Sequence, residues 1–218
     1  MTSSGLRNPV LLIHGIWDTG IIFHSMRSHL TQRGWSVYDL DMKPNNGDSE
    51  LEHLAAQVAD YIDDTFVPGT QLDIVGYSMG GIVSRYYIQR MGGAQRVRRF
   101  ITLSSPHNGT WVAYGSFRPG CIQMRPNSSF LEDLNRDMTA LEQLNFTSIW
   151  TPLDTMIVPA SSSQMPVGKN IKVWVPAHHY MVSDPRSLRV VATALTEPLK
   201  VRNYELTAAR SPMAVNSR

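Results

Sequence analysis

Residues 9–15, PVLLIHG, run apolar without a break and then stop at a glycine. A strand with one face in water alternates apolar and polar residues, so an unbroken run belongs to a strand covered on both faces. Further strands are read at WSVYDLDM (35–42), LDIVG (72–76), VRRFITLSS (97–105), FTSIWTPLD (146–154) and IKVWVP (171–176). Between them the apolar residues recur at helical spacing. IIFHSMRSHLTQRG (21–34) is a helix that ends at Gly34. In residues 49–66, Ser49 and Glu52 have the spacing of a capping box, and Leu51, Leu54, Ala55, Val58 and Ile62 share one face. Residues 79–91 form a helix stopped by Gly92 and Gly93, FLEDLNRDMTALEQL (130–144) one continuous helix, and SLRVVATAL (187–195) the closing one. Six strands separated mostly by helices predict an α/β fold: an about six-stranded, mostly parallel sheet with right-handed crossovers and helices on both faces.

A chain of 218 residues accommodates one domain with a sizeable core. Residues 1–198 are read as that domain, and the polar stretch 199–218 as a mobile tail. A net charge of +2 with 17% charged residues excludes the basic excess of a nucleic-acid binder and the charge density of a disordered chain. Cys121 is the single cysteine, so no intrachain disulfide forms. The opening MTSSGLRNPVLLIHG has an apolar run too short for a signal segment or a membrane span, and a cytoplasmic location is expected.

Gly76, Ser78 and Gly80 form GxSxG at the junction of a predicted strand with a predicted helix. The motif is weak alone, because Gly and Ser are common residues, but this junction is the setting that a nucleophile elbow requires. Larger side chains at 76 or 80 would crowd the turn, and Ser78 is pushed outward at the carboxyl edge of the sheet. A serine at a helix N-terminus also sits among free N–H groups that favour developing negative charge. Its hydroxyl needs a base, and the base needs an orienting acid; in this setting the chain order is Ser, then Asp or Glu, then His. Asp154 follows the fifth predicted strand, and His178 and His179 follow the sixth. The histidine doublet leaves the base ambiguous on position alone. Asp39 and Asp41 precede the serine, and Asp133 and Asp137 fall on a helix. The two oxyanion donors are read as the backbone N–H groups of Met79 and Ile16, and His14 as a strand-end residue bracing the loop that carries Ile16.

HGIW, GYSMGG, SSPHNGT, QMRPNSSFLEDLN, LDTMIVPASS and HHYMVSDP together resemble the class 2 bacterial triacylglycerol lipases, small enzymes of the α/β-hydrolase fold, over most of residues 9–196. They are also similar to a subset from photosynthetic bacteria and plastids that acts on membrane glycerolipids. The resemblance implies carboxylester hydrolysis by a lipase or esterase, a lipid or small ester substrate, no metal or organic cofactor, and at most a small lid. Many secreted members carry a signal peptide, and the opening residues here do not read as one, so an internal substrate is expected. The family pattern places apolar residues three and four positions after the catalytic histidine. Met181 and Val182 fit that register from His178, whereas polar Ser183 breaks it from His179. An acyltransferase, with an alcohol in place of water, and a non-catalytic lipid-binding relative are the alternatives.

The stretch 105–128 mixes Trp111, Val112, Tyr114, Phe117, Ile122 and Met124 with helix breakers, as an apolar rim or a short flap over Ser78 would. Trp17, Trp111, Met124 and His179 are the candidate substrate contacts. Cys121 is read as a buried bystander, and Arg85, Arg90, Arg96, Arg98 and Arg99 as a solvated basic face. GYSMGG lacks a P-loop lysine, and no His or Cys spacing resembles a zinc site. At most peripheral membrane contact is expected, with the protein a monomer or small homo-oligomer.

Overall fold

The computed structural model describes residues 7–201, so most of the tail 199–218 lies outside the described residues. Its centre is a six-stranded, all-parallel sheet of β1 (Val10–Ile13), β2 (Val37–Leu40), β3 (Leu72–Tyr77), β4 (Val97–Leu103), β5 (Asn145–Trp150) and β6 (Lys169–Lys172), in the order β2-β1-β3-β4-β5-β6. This is the α/β-hydrolase arrangement expected from the sequence. The apolar runs are buried on both sides because successive side chains feed two cores. Leu11 and Ile13 join one cluster with α2 (Leu51–Thr65), α3 (Met79–Arg90) and α5 (Ser129–Arg136), whereas Val10 and Leu12 join another with α1 (His24–Thr31) and α7 (Pro185–Ala194).

Three local expectations are corrected. The first turn of α2 has no Ser49–Glu52 capping box: Ser49 turns away, and Gln123, at the end of a short helix distant in sequence, caps it instead. Gln123 Oε1 accepts from Leu51 N at 2.7 Å, while its Nε2 donates to Glu52 at 2.6 Å. The predicted helix 130–144 is broken into α5 and α6 (Thr139–Glu142), because Asp137 is extended and its carboxylate caps a new start through Thr139 N at 3.0 Å. The sixth strand is short and shifted towards the N-terminus; beyond Lys172, Val173 N still donates to Trp150 O at 2.9 Å, after which the chain leaves the sheet edge.

The arginine cluster is also not a solvated face. Arg85 is completely buried, its guanidinium held by Leu134 O at 2.7 Å, Asn135 Oδ1 at 2.8 Å and Gln89 Oε1 at 2.6 Å, without a carboxylate among them. Burial first, and Arg90 second, pull its pKa down to about 9. Arg99 pairs with buried Asp73 at 3.0 Å, Arg90 with Asp133 at 2.8 Å and Arg96 with Asp63 at 3.0 Å. These side chains tie α3 and the sheet to their neighbours.

Arg85 Nη1 also approaches His107 O at 3.5 Å, in the segment that follows β4. His107 is fully buried: its Nε2 meets Thr102 Oγ1 at 3.0 Å, and its Nδ1 has no partner among the described residues. Burial, with the Arg85 charge, holds its pKa well below the ordinary histidine value. The folded protein therefore keeps His107 neutral where the unfolded chain takes up a proton, and stability is lost as pH falls through the unfolded value of about 6.5. Between pH 7.5 and 5.5 this group is expected to remove on the order of 1 kcal/mol. Urea melts at both pH values should show a smaller acid loss in His107→Asn than in the wild type; an equal loss would mean that another group is responsible.

Candidate active site

The site is assembled at the carboxyl ends of β1, β3, β4 and β5. Ser78 follows β3 with φ 53° and ψ −124°, a left-handed backbone that a non-glycine residue adopts only under strain. The sharp turn is possible because the neighbours have no side chains in the way. A Cβ on Gly76 would lie 2.6 Å from Gly81 Cα, and one on Gly80 would collide with the carbonyls of Ile13 and His14. The turn is thereby wedged between β1 and α3, with the hydroxyl directed outward.

Asp154 sits in the turn after β5. Its Oδ1 accepts from Met156 N and Ile157 N, each at 2.9 Å, and its Oδ2 meets His178 Nδ1 at 2.8 Å. Burial pushes this carboxyl upward, but the hydrogen bond from His178, the imidazole charge and the Ile157 amide outweigh it, leaving the pKa below the ordinary carboxylate value. His178 opens a short 3-10 turn, His178–Val182, after the extended Ala177, and its Nε2 lies 3.0 Å from Ser78 Oγ. A carboxylate at Nδ1 fixes the proton there, which leaves Nε2 free to accept from the serine. Met181 and Val182 are buried beneath this turn and anchor its register, whereas His179 is exposed against Tyr180, with ring centroids 4.0 Å apart.

Ile16 and Met79 present backbone N–H groups that find no acceptor among the described residues. His14 supports the loop that carries Ile16. Its Nδ1 donates to Gly15 O at 2.8 Å and its Nε2 accepts from Met42 N at 2.9 Å, a pairing that consumes both ring nitrogens. The next residue, Trp17, has φ 62° and leaves its ring 62% exposed at the mouth of a cavity.

That cavity, about 400 Å³, begins at Ser78 and is lined chiefly by Ile16, Trp17, Val112, Cys121, Met124 and Ile157. The segment 105–128 supplies much of the wall through two short helical turns, Trp111–Gly115 and α4 (Pro119–Gln123). Of the candidate substrate contacts, Trp17 and Met124 line the cavity. Trp111 stacks on Tyr114 at 5.4 Å outside the lining, and His179 stands apart from it. Cys121 is buried, as expected, in the cavity wall. Thr110 closes the SSPHNGT motif, but its role was not read from the sequence. Its hydroxyl donates to Met156 O at 2.7 Å and accepts from Val158 N at 3.0 Å, joining the cavity wall to the turn that holds Asp154. Asp18 was likewise missed; its carboxylate lies over Gly15, beside Ser78. Among the described residues no cluster of His, Cys, Asp or Glu is placed to hold a metal ion, and no helix is long and apolar enough to cross a membrane.

Residues 9–130 match the palmitoyl protein thioesterase family. Triacylglycerol lipases of Pseudarthrobacter phenanthrenivorans and Burkholderia plantarii are each 26% identical over 120 residues, 51% of this chain but 37% and 33% of theirs. The matched region thus spans about a third of those relatives. Among solved structures, mature lipase BlEst2 of Bacillus licheniformis aligns over 89% of this chain and 94% of its own, with TM-score 0.72 and 16% identity. Lipase B of Aspergillus fumigatus aligns over 92% of this chain and 56% of its own, with TM-score 0.76 and 18% identity. At these identities the likeness establishes the α/β-hydrolase fold.

Proposed function

Because the chain belongs to the palmitoyl protein thioesterase family, we propose that it hydrolyses acyl esters through an acyl-enzyme formed on Ser78. The observation that carries this reading is the hydrogen-bonded line from Asp154 through His178 to Ser78, opening onto an apolar cavity. His178 Nε2 takes the hydroxyl proton as Ser78 Oγ attacks the carbonyl carbon, and Asp154 stabilises the imidazolium. The oxyanion is held by the N–H groups of Ile16 and Met79. His178 then gives its proton to the leaving oxygen, and the carbon–oxygen bond breaks. Water, activated by the same imidazole, attacks the acyl-enzyme and releases the acid with Ser78 restored. A thioester would pass through the same tetrahedral intermediate.

The acyl chain occupies the cavity. Its volume lies within the range of small-molecule sites, which favours short to medium chains, and the similarity to triacylglycerol lipases supports lipid esters as substrates. A fluorophosphonate probe tests the reading directly. It is expected to label Ser78 stoichiometrically, with labelling lost in Ser78→Ala together with hydrolysis of p-nitrophenyl butyrate. Undiminished labelling of that variant would overturn the assignment.

A further inference from the structure

The surroundings of Ser78 differ on its two sides. On one side is the apolar cavity, to which neither His178 nor Asp18 nor Tyr77 contributes. On the other, a side chain at Gly15 would meet Ser78 Cβ at 3.0 Å, Asp18 Oδ2 at 3.2 Å and Tyr77 Cδ1 at 3.3 Å, so these three groups converge over one backbone position. The Tyr77 ring in turn packs on the His178 imidazole, with centroids 5.0 Å apart. Asp18 therefore belongs to the imidazole side.

The Asp18 carboxylate accepts no hydrogen bond and forms no ion pair with any described residue. Asp154, by contrast, is engaged by His178 and two amides. Asp18 is also half-buried, and burial raises its pKa above the ordinary carboxylate value despite the opposing charges of His14 and His178. A carboxylate partly withdrawn from water and left without a protein donor favours a ligand that supplies one.

In ester hydrolysis the imidazole hands its proton to the leaving oxygen, so the departing alcohol lies on the imidazole side while the acyl chain fills the cavity. We propose that Asp18 selects the leaving group, favouring an alcohol that carries a cationic or hydroxyl-rich substituent near the reacting oxygen over one that carries an anion. This rests on the ester-hydrolase reading above and adds the chemistry of the second half of the substrate. A triad with a cavity accounts for the acyl group alone; the free carboxylate accounts for the headgroup.

The test compares phenyl butyrate with its para-trimethylammonium and para-sulfonate derivatives, which share an acyl group and differ in leaving-group charge. In wild-type protein at low salt, the ratio of kcat/KM for the cationic over the anionic ester is expected to exceed the ratio for hydroxide hydrolysis by about tenfold or more. It should fall to within about twofold of the hydroxide ratio in Asp18→Asn, and 0.5 M salt should lower it in the wild type, because an exposed headgroup is screened. The salt series needs no variant, so poor folding of Asp18→Asn leaves the experiment decisive. A wild-type ratio equal to that of hydroxide, or one unchanged by Asp18→Asn, overturns the proposal while the hydrolase reading stands. Failure of the wild type to hydrolyse the neutral ester would overturn both.

Discussion

Replacing His178 by alanine is expected to lower kcat for a soluble ester by roughly 10⁴- to 10⁶-fold, and replacing His179 by less than about tenfold. The two residues are neighbours of the same type, yet the short 3-10 turn separates them. His178 is buried and bonded at both nitrogens, while His179 faces solvent beside Tyr180. A small effect of His179→Ala would reflect lost packing against Tyr180. Steady-state kinetics on both variants, after circular dichroism has established that each folds, decides the matter. The opposite ranking would transfer the base to His179 and require the turn to rotate.

Asp154→Asn is expected to cost about 10⁴-fold in kcat with little change in KM or fold. The amide is nearly isosteric, so Oδ1 can still accept from Met156 N and Ile157 N. If the amide nitrogen replaces Oδ2, however, it offers a donor to Nδ1 and forces the imidazole proton onto Nε2. The histidine then faces the Ser78 hydroxyl as a donor rather than an acceptor. A variant with near-wild-type turnover would exclude Asp154 as the orienting acid, and one that unfolds would assign the carboxylate charge a structural role. Thermal melts alongside the kinetics separate these outcomes.

The parts legible in the sequence are those whose physics is local or repeated. β1 and β3 were found because burial on two faces leaves no room for polar residues, and α2 because its apolar face repeats every turn. Its cap was misread because the group that satisfies Leu51 N comes from Gln123, 72 residues away. The break between α5 and α6 has a local part, the Asp137 cap, and a tertiary one: Gln89 reaches across from α3 to the carbonyls of Leu134 and Asp137, at the end of α5. Arg85 looked like one of five surface cations, since nothing local indicates that carbonyl and amide oxygens will enclose it. At the site, chain order nominated Ser78, Asp154 and the histidine doublet, and the fold brings Ser78, Asp154 and His178 into contact. The roles of Asp18 and of Thr110, the last residue of SSPHNGT, were not legible, because they depend on which loops meet at the sheet edge.

The Thr110 hydroxyl has a consequence for anyone who would redesign this protein. A single oxygen bonds Met156 and Val158, and the backbone adds Trp111 N to Val158 O at 2.9 Å, so the two loops are stitched at the same seam. Segment 105–128 is consequently not an interchangeable cassette. A graft that imports a longer flap to accommodate bulkier acyl groups, but omits the threonine, would loosen the turn in which Asp154 is seated. Specificity and rate would then decline together. Directed evolution for new chain lengths should therefore accumulate changes at Val112, Cys121 and Met124, which face the cavity, and leave residues 110 and 156–158 as a conserved block.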